Sequence, residues 1–253
     1  MKLSRSLASC SFVLSALCVT GSFAAQGAAP HWEYRGQHGT THWAEIDPAY
    51  ESCAHGRAQS PIDIRNAQAA QLPTLEFAYG RVTPSIVNNG HTIQVNIPRG
   101  QFLRIGDHSY ELVQFHFHTP SEEHVQGKPS AMVAHFVHRD AEGKLAVVAA
   151  LIQPGKAATG FETVLSHLPQ HAGETLTVDG LELDLAGLLP AERRYWEFEG
   201  SLTTPPCSEG VRWMVLTQPV KVSAEAIRSM RRLYPANARP VQPLNGRVVR
   251  ISQ

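Results

Sequence analysis

Two short stretches of alternating side chains constrain this chain most: Val113-Gln114-Phe115-His116-Phe117-His118 and Ala134-His135-Phe136-Val137-His138. Successive side chains of a strand point to opposite faces, so Gln114, His116 and His118 share one face and Phe115 and Phe117 the other. On the second stretch His135 and Val137 share a face, and Phe136 and His138 take the opposite one. If the two strands pair, three imidazoles converge with bulky apolar residues behind them. A lone His-x-His on a strand is more often a solvated or hydrogen-bonded pair. A third histidine nearby, with no cysteine or carboxylate mixed into the set, reverses that preference. Three neutral nitrogens leave one position of a tetrahedral Zn²⁺ open for water, the catalytic arrangement rather than the structural one.

The chain has 253 residues, enough for one substantial core. Its 22 basic side chains balance 22 acidic ones, and no basic stripe interleaved with aromatics occurs, so nucleic acid is not an expected partner. The amino terminus reads as an export signal. Lys2 and Arg5 are followed by the apolar stretch Leu7–Val19, and Ser22-Phe23-Ala24 offers small residues where a signal peptidase cuts. Residues 1–24 are therefore expected to be a signal peptide and residues 25–253 a single domain, periplasmic or secreted. The apolar stretch is short for a bilayer span, and Leu17 before Cys18 is bulky for a lipid-attachment site, so no stable membrane anchor is expected. Cleavage removes Cys10 and Cys18 and leaves Cys53 and Cys207, which are expected to pair in an oxidising compartment. Closing so long a loop stabilises by about 4–5 kcal/mol in the chain-entropy model. Two separate buried thiols are the alternative.

Strands are expected at 85–87, 92–97, 102–105, 110–118, 131–138, 145–152, 194–199 and 211–216, separated by turn signals such as Asn88-Asn89-Gly90 and Glu142-Gly143. Two helices complete the pattern. Thr159 and Glu162 form a capping box before Val164, Leu165 and Leu168. Ser223 caps a second helix striped by Ile227, Met230 and Leu233 and stopped by Pro235. The fold class is mainly β (α+β): a large, mostly antiparallel sheet with peripheral short helices.

Seven blocks then stand in one order: His31-Trp32-Glu33-Tyr34, Gln59-Ser60-Pro61-Ile62-Asp63-Ile64, Asn88-Asn89-Gly90-His91, Gln114 to His118, Ala134 to His138, Gly200-Ser201-Leu202-Thr203-Thr204-Pro205-Pro206, and Arg239-Pro240-Val241-Gln242-Pro243-Leu244-Asn245. In these blocks the chain resembles an α-class carbonic anhydrase along essentially all of residues 25–253. The resemblance implies a twisted, mainly antiparallel sheet of about ten strands. It also implies reversible hydration of CO₂ to bicarbonate and a proton, by attack of a zinc-bound hydroxide with histidine-assisted proton export.

The resemblance assigns His116, His118 and His135 to Zn²⁺. It assigns Thr203 to a hydroxide-orienting relay with Glu122 of Ser121-Glu122, with Glu123 as the alternative. It nominates Val137, Val147, Leu202, Val211 and Trp213, with Thr204, to receive CO₂, an apolar substrate that suits an apolar wall. His91 takes the place of the proton carrier, and Tyr34, Asn89 and Gln94 that of a supporting water chain. Alternation alone groups His91 with Ile93 and Val95 on an apolar face. Gln114 shares the face of His116 and His118 and is placed to orient an imidazole. The chain departs from the family at Val133, where many members carry a glutamate that accepts the outer N–H of the third histidine. Glu123 is expected to supply that carboxylate instead.

Three other functions compete. A binding domain that has lost catalysis usually lacks one of the three histidines, and a zinc buffer needs neither the relay nor the wall. A hydrolase is disfavoured because no Gly-x-Ser-x-Gly elbow occurs. The expected partner is a small molecule, and a homodimer is compatible with the sequence.

Overall fold

The computed structural model describes residues 30–156, 159–178 and 180–253, and the expected signal peptide lies outside the described residues. Ten strands form one path: β1 (Gln68–Ala70), β2 (Ser85–Asn88), β3 (Ile93–Asn96), β4 (His108–His118), β5 (Met132–Arg139), β6 (Leu145–Pro154), β7 (Thr175–Thr177), β8 (Tyr195–Ser201), β9 (Glu209–Leu216) and β10 (Arg250–Ser252). Their order is β7-β2-β3-β4-β5-β6-β9-β8-β10-β1, and Leu75–Ala78, Phe102–Ile105 and Val220–Val222 join it to complete a 13-stranded sheet. Along the path every ladder is antiparallel except β6 with β9 and β10 with β1. Each strand expected from sequence is present with ends shifted by at most two residues.

The middle of the sheet is apolar on both faces, as a strand covered on both sides must be. Along β6, Ala146, Val148, Ala150 and Ile152 join a large cluster with Phe115, Phe117 and Phe136. Val147, Ala149 and Leu151 join a smaller cluster with Val133, Val211 and Trp213 on the other face. Two single-turn helices, α1 (Trp43–Ile46) and α2 (Ser52–His55), precede the sheet. The large cluster is covered by two more helices, α3 (Thr159–Leu165) and α4 (Ala224–Leu233), through Phe161, Val164, Ile227 and Met230. Burying each of these phenylalanines stabilises the fold by about 1.5–3 kcal/mol.

Ser223 caps α4 as expected, its Oγ accepting the Ala226 N–H at 3.1 Å. The Thr159 side chain of the capping box expected at α3 lies outside the described residues. Glu162 turns to the start of α4, where its carboxylate accepts the Ser223 N–H and, at 3.0 Å, the Ser223 hydroxyl. One carboxylate thus ties the two helices that cover the large cluster.

A correction concerns β4. Simple alternation puts Tyr110 and Leu112 on the histidine face, yet both lie in the cluster with Phe115 and Phe117. Against β5, Gln114 pairs with Val137 and Leu112 with His138, so Val113 is an extra, unpaired residue and is 37% exposed. This bulge switches the strand's parity, because one inserted residue moves everything beyond it to the other face. The strand therefore buries apolar residues on one side along its length while presenting Gln114, His116 and His118 on the other.

Candidate metal centre and its cavity

Pairing of β4 with β5 sets His135 opposite His116 and Val133 opposite His118. The three imidazoles lie on the face of the smaller cluster, and their ligand nitrogens fall within 4.8 Å of one another. His118 and His135 are buried, while His116 is partly exposed on the cavity side.

Each ring is oriented by an acceptor on its outer nitrogen. His116 Nδ1 lies 2.9 Å from Gln114 Oε1, and His118 Nδ1 lies 2.7 Å from the Asn237 carbonyl. His135 Nε2 lies 2.9 and 3.1 Å from the two oxygens of Glu123. A carbonyl or carboxylate only accepts, so each outer nitrogen must carry the proton and each inner nitrogen keeps its lone pair. The inner set is Nε2 of His116, Nε2 of His118 and Nδ1 of His135. His118 Nε2 is buried and has no hydrogen-bond partner. A buried, unpartnered basic nitrogen is costly unless a cation occupies it, and burial disfavours a proton there, so these residues fit a metal ion that takes nitrogen ligands.

Burial keeps two of the three rings neutral, whereas the two glutamates push the third the other way. Burial, then the neighbouring His135, pull the His116 pKa down to about 3. Burial and the other two histidines hold His118 well below the ordinary value. Burial also pulls on His135, but the charge of Glu123, its hydrogen bond and the charge of Glu122 outweigh it and raise the pKa.

Glu122 and Glu123 leave the 119–123 segment in different directions. Glu123 reaches His135. Glu122 accepts the Arg239 backbone N–H on Oε1 at 2.7 Å, while its Oε2 is buried and makes no hydrogen bond. Burial pushes its pKa up to about 7, aided by Glu123 and opposed by His135, the Thr203 hydroxyl and the Arg239 N–H. Thr203 therefore faces Glu122, although its hydroxyl does not close a bond to Oε2 in this geometry. Val133, where a family glutamate often stands, is fully buried in the smaller apolar cluster.

Tyr34, Asn89, His91, Gln94, Gln114, His116, His118 and Thr204 line one cavity of about 130 Å³, together with Trp32. His91 lies in the turn before β3 and not on the strand, which corrects the alternation that grouped it with Ile93 and Val95. Its ring stacks on Trp32, centroids 3.8 Å apart and planes 7° from parallel. Its N–H and that of Thr92 are both accepted by Asn89 Oδ1, at 3.0 and 2.9 Å, and Gly90 at φ +87° lets the chain turn. Asn89 also donates to Gln94 Oε1 at 3.3 Å. Burial, then His31, lower the His91 pKa, and Glu33 opposes them.

Val147, Val211 and Trp213 are buried in the smaller cluster, with Val137 and Leu202 packed against it. Trp213 meets the His135 ring edge-on at 4.9 Å and donates its indole N–H to Ser201 O at 3.0 Å. Cys53 and Cys207 form a disulfide, and the Cys207 N–H donates to Thr204 O at 2.9 Å, anchoring the turn that carries Thr203. A larger depression of about 690 Å³, lined by Lys144, Glu197 and Arg212 among others, contains none of the three histidines.

Sequence reasoning missed Trp32 as a partner of His91, and missed Asn237 and Arg239 altogether as neighbours of His118 and Glu122. Two of these act through backbone groups, which leave no trace in residue type.

A family model described as eukaryotic-type carbonic anhydrase matches residues 38–253. A carbonic anhydrase of Pectobacterium atrosepticum is 41% identical over 236 residues, covering 92% of this chain and 96% of its own. Another, from Neisseria gonorrhoeae, is 38% identical over 247 residues, 97% of each chain. The solved α-carbonic anhydrase of Thermovibrio ammonificans, in complex with the inhibitor sulfanilamide, superposes with TM-score 0.84 at 39% identity, covering 89% of this chain and all of that one. The chain belongs to the α-carbonic anhydrase family, and its enzyme class is that of a carbonate dehydratase. Its three-histidine group could hold a metal.

Proposed function

We propose that residues 25–253 form an exported, periplasmic or secreted enzyme that hydrates CO₂ reversibly, with Zn²⁺ held by His116 Nε2, His118 Nε2 and His135 Nδ1. The observation that carries this reading is the convergence of three inward nitrogens whose outer nitrogens are all committed to acceptors. Bound there, the ion supplies a Lewis acid that makes water a nucleophile near neutral pH. The disulfide supports export, since such bonds persist in oxidising compartments.

The chain's own groups then have separable tasks. Glu122, with Oε1 filled by the Arg239 N–H, offers Oε2 to the Thr203 hydroxyl, so that Thr203 turns its lone pairs toward the reacting water and orients it. Val137, Val147, Leu202, Val211 and Trp213 exclude bulk water and favour an apolar substrate, and Thr204 shares the cavity with His116 and His118. Product formation releases a proton. His91, whose lowered pKa keeps it neutral and able to accept at pH 7, carries that proton outward along waters held by Tyr34, Asn89 and Gln94. Glu123 fixes His135 in the place of the family glutamate that Val133 lacks.

Stopped-flow CO₂ hydration, with metal content measured on the same sample, tests the reading. Thr203→Ala is expected to keep its zinc and lose most turnover, and sulfanilamide to inhibit the wild-type protein as it does the Thermovibrio relative. Full turnover in Thr203→Ala would remove the relay from the mechanism.

A further inference from the structure

The residue that follows α4 into the cavity wall has no role in the relay, the wall or the water chain. Asn237 is 1% exposed, and every polar group it has is engaged. Its N–H donates to Thr119 O at 3.3 Å, and its carbonyl accepts from His118 Nδ1 at 2.7 Å. The side-chain Oδ1 accepts the Thr119 N–H at 2.8 Å. The side-chain Nδ2 donates to two carbonyls, Phe117 O at 3.0 Å and His91 O at 3.1 Å.

We propose that the Asn237 carboxamide is a positioning residue for proton export, fixing His91 at a set distance from the histidine-bearing end of β4. Phe117 lies between His116 and His118, so one planar NH₂ group grips the metal-site strand with one hydrogen and the His91 backbone with the other. The two donors of an amide have fixed directions, and the span between those carbonyls is set by the planar group that joins them. The His91 N–H is held within its own turn by Asn89, the Thr92 hydroxyl donates to the same Phe117 carbonyl, and Trp32 stacks on the His91 ring; Asn237 adds the hold on the His91 carbonyl and ties it to β4. The same C-terminal segment also steadies the turn through Tyr234, whose hydroxyl donates to Asn88 Oδ1.

Chemistry accounts for the choice of asparagine. An aspartate there would face two carbonyl oxygens with a third negative oxygen, and a serine hydroxyl has a single hydrogen and cannot donate to both carbonyls as the amide does. Displacement of a transferring group by about 1 Å can cost up to about 100-fold in rate. The proposal rests on the reading of His91 as the proton carrier.

A double-mutant cycle on the zinc-loaded enzyme tests it, with Asn237→Ser, His91→Ala and the pair assayed in dilute buffer. Asn237→Ser is expected to lower kcat several-fold and kcat/KM far less, with imidazole buffer restoring much of the rate. In the His91→Ala background the same change should cost nothing further, because the group it positions is gone. Equal losses in both backgrounds would overturn the proposal. Asn237→Gln, which keeps a carboxamide of altered reach, serves as the milder variant if the serine protein does not fold.

One readout is independent of activity: the upfield ring-current shift that stacking on Trp32 imposes on the His91 imidazole protons. That shift should change in either Asn237 variant, and an unmoved shift would also overturn the proposal. If His91→Ala alone leaves dilute-buffer kcat intact, the carrier role fails. The ring-current shift still decides whether Asn237 positions His91.

Discussion

Glu123 and Glu122 are neighbours in the chain that make different hydrogen bonds in the site. Glu123 grips the outer nitrogen of His135, whereas Glu122 faces Thr203 and the Arg239 backbone. Glu123→Gln should therefore speed zinc loss to a chelator, and Glu123→Ala should speed it more, by about 10–100-fold. Glu122→Gln should lower turnover with little change in zinc retention, and the reverse division would exchange the two roles. Away from the metal site, His138 is fully buried, its Nδ1 3.2 Å from Ala146 O and its Nε2 2.5 Å from the Tyr79 hydroxyl. Burial outweighs its hydrogen bonds to backbone and pulls its pKa down to about 4. The unfolded chain, with an ordinary histidine pKa of about 6.5, takes up that proton first. Stability from this group is thus whole above about pH 6.5 and drains away between there and about pH 4, by up to about 3 kcal/mol. Thermal melts across that range should show the fall, and Tyr79→Phe with His138→Leu should flatten it. An unchanged slope in the double variant would assign the acid sensitivity to other groups.

Among the elements, β4 has the most to arrange, because it must bury apolar residues on one face for its whole length and offer ligands only at one end. The bulge at Val113 reconciles these demands. Deleting Val113 should force a choice between exposing Tyr110 and Leu112 and turning His116 and His118 into the core. Either outcome should appear as lost zinc binding or a large drop in melting temperature, and a deletion variant that melts normally and holds zinc would show the bulge to be dispensable. The long strands were legible because period-2 alternation over six or more residues fits a half-buried strand and little else, and His116, His118 and His135 were legible with them. The bulge was not, since Tyr110-Glu111-Leu112-Val113 reads as unbroken strand whichever face it uses. Strands such as Gln68–Ala70 and Thr175–Thr177 were missed because three residues are too few to show a period. The bond from Glu162 to Ser223 was not legible, because a carboxylate three residues into a helix can serve its own terminus or a neighbour's, and only the packing of α3 on α4 brings Ser223 to it.

At the scale of the whole molecule, distant segments meet at one point. Cys53 and Cys207, 154 residues apart, join the start of the described chain to the turn carrying Thr203. The Arg239 guanidinium binds Cys53 O, Ser60 O and Gln59 Oε1, while Gln59 Nε2 binds Cys207 O. Replacing Cys53 and Cys207 with serine should lower stability by a few kcal/mol (about 2–5) and should lower turnover less than Thr203→Ala does. An unaltered melting temperature would deny the disulfide a stabilising role. The three-histidine group sits where these connections and the two central strands converge, so removing one of its imidazoles should strip the chemistry while leaving the sheet. The most direct measurement is therefore zinc content and CO₂ hydration rate on His118→Ala, taken on the same preparation as a circular dichroism spectrum. A folded protein that has lost most of its zinc and nearly all of its activity is the predicted result, and full hydration activity without metal would contradict it.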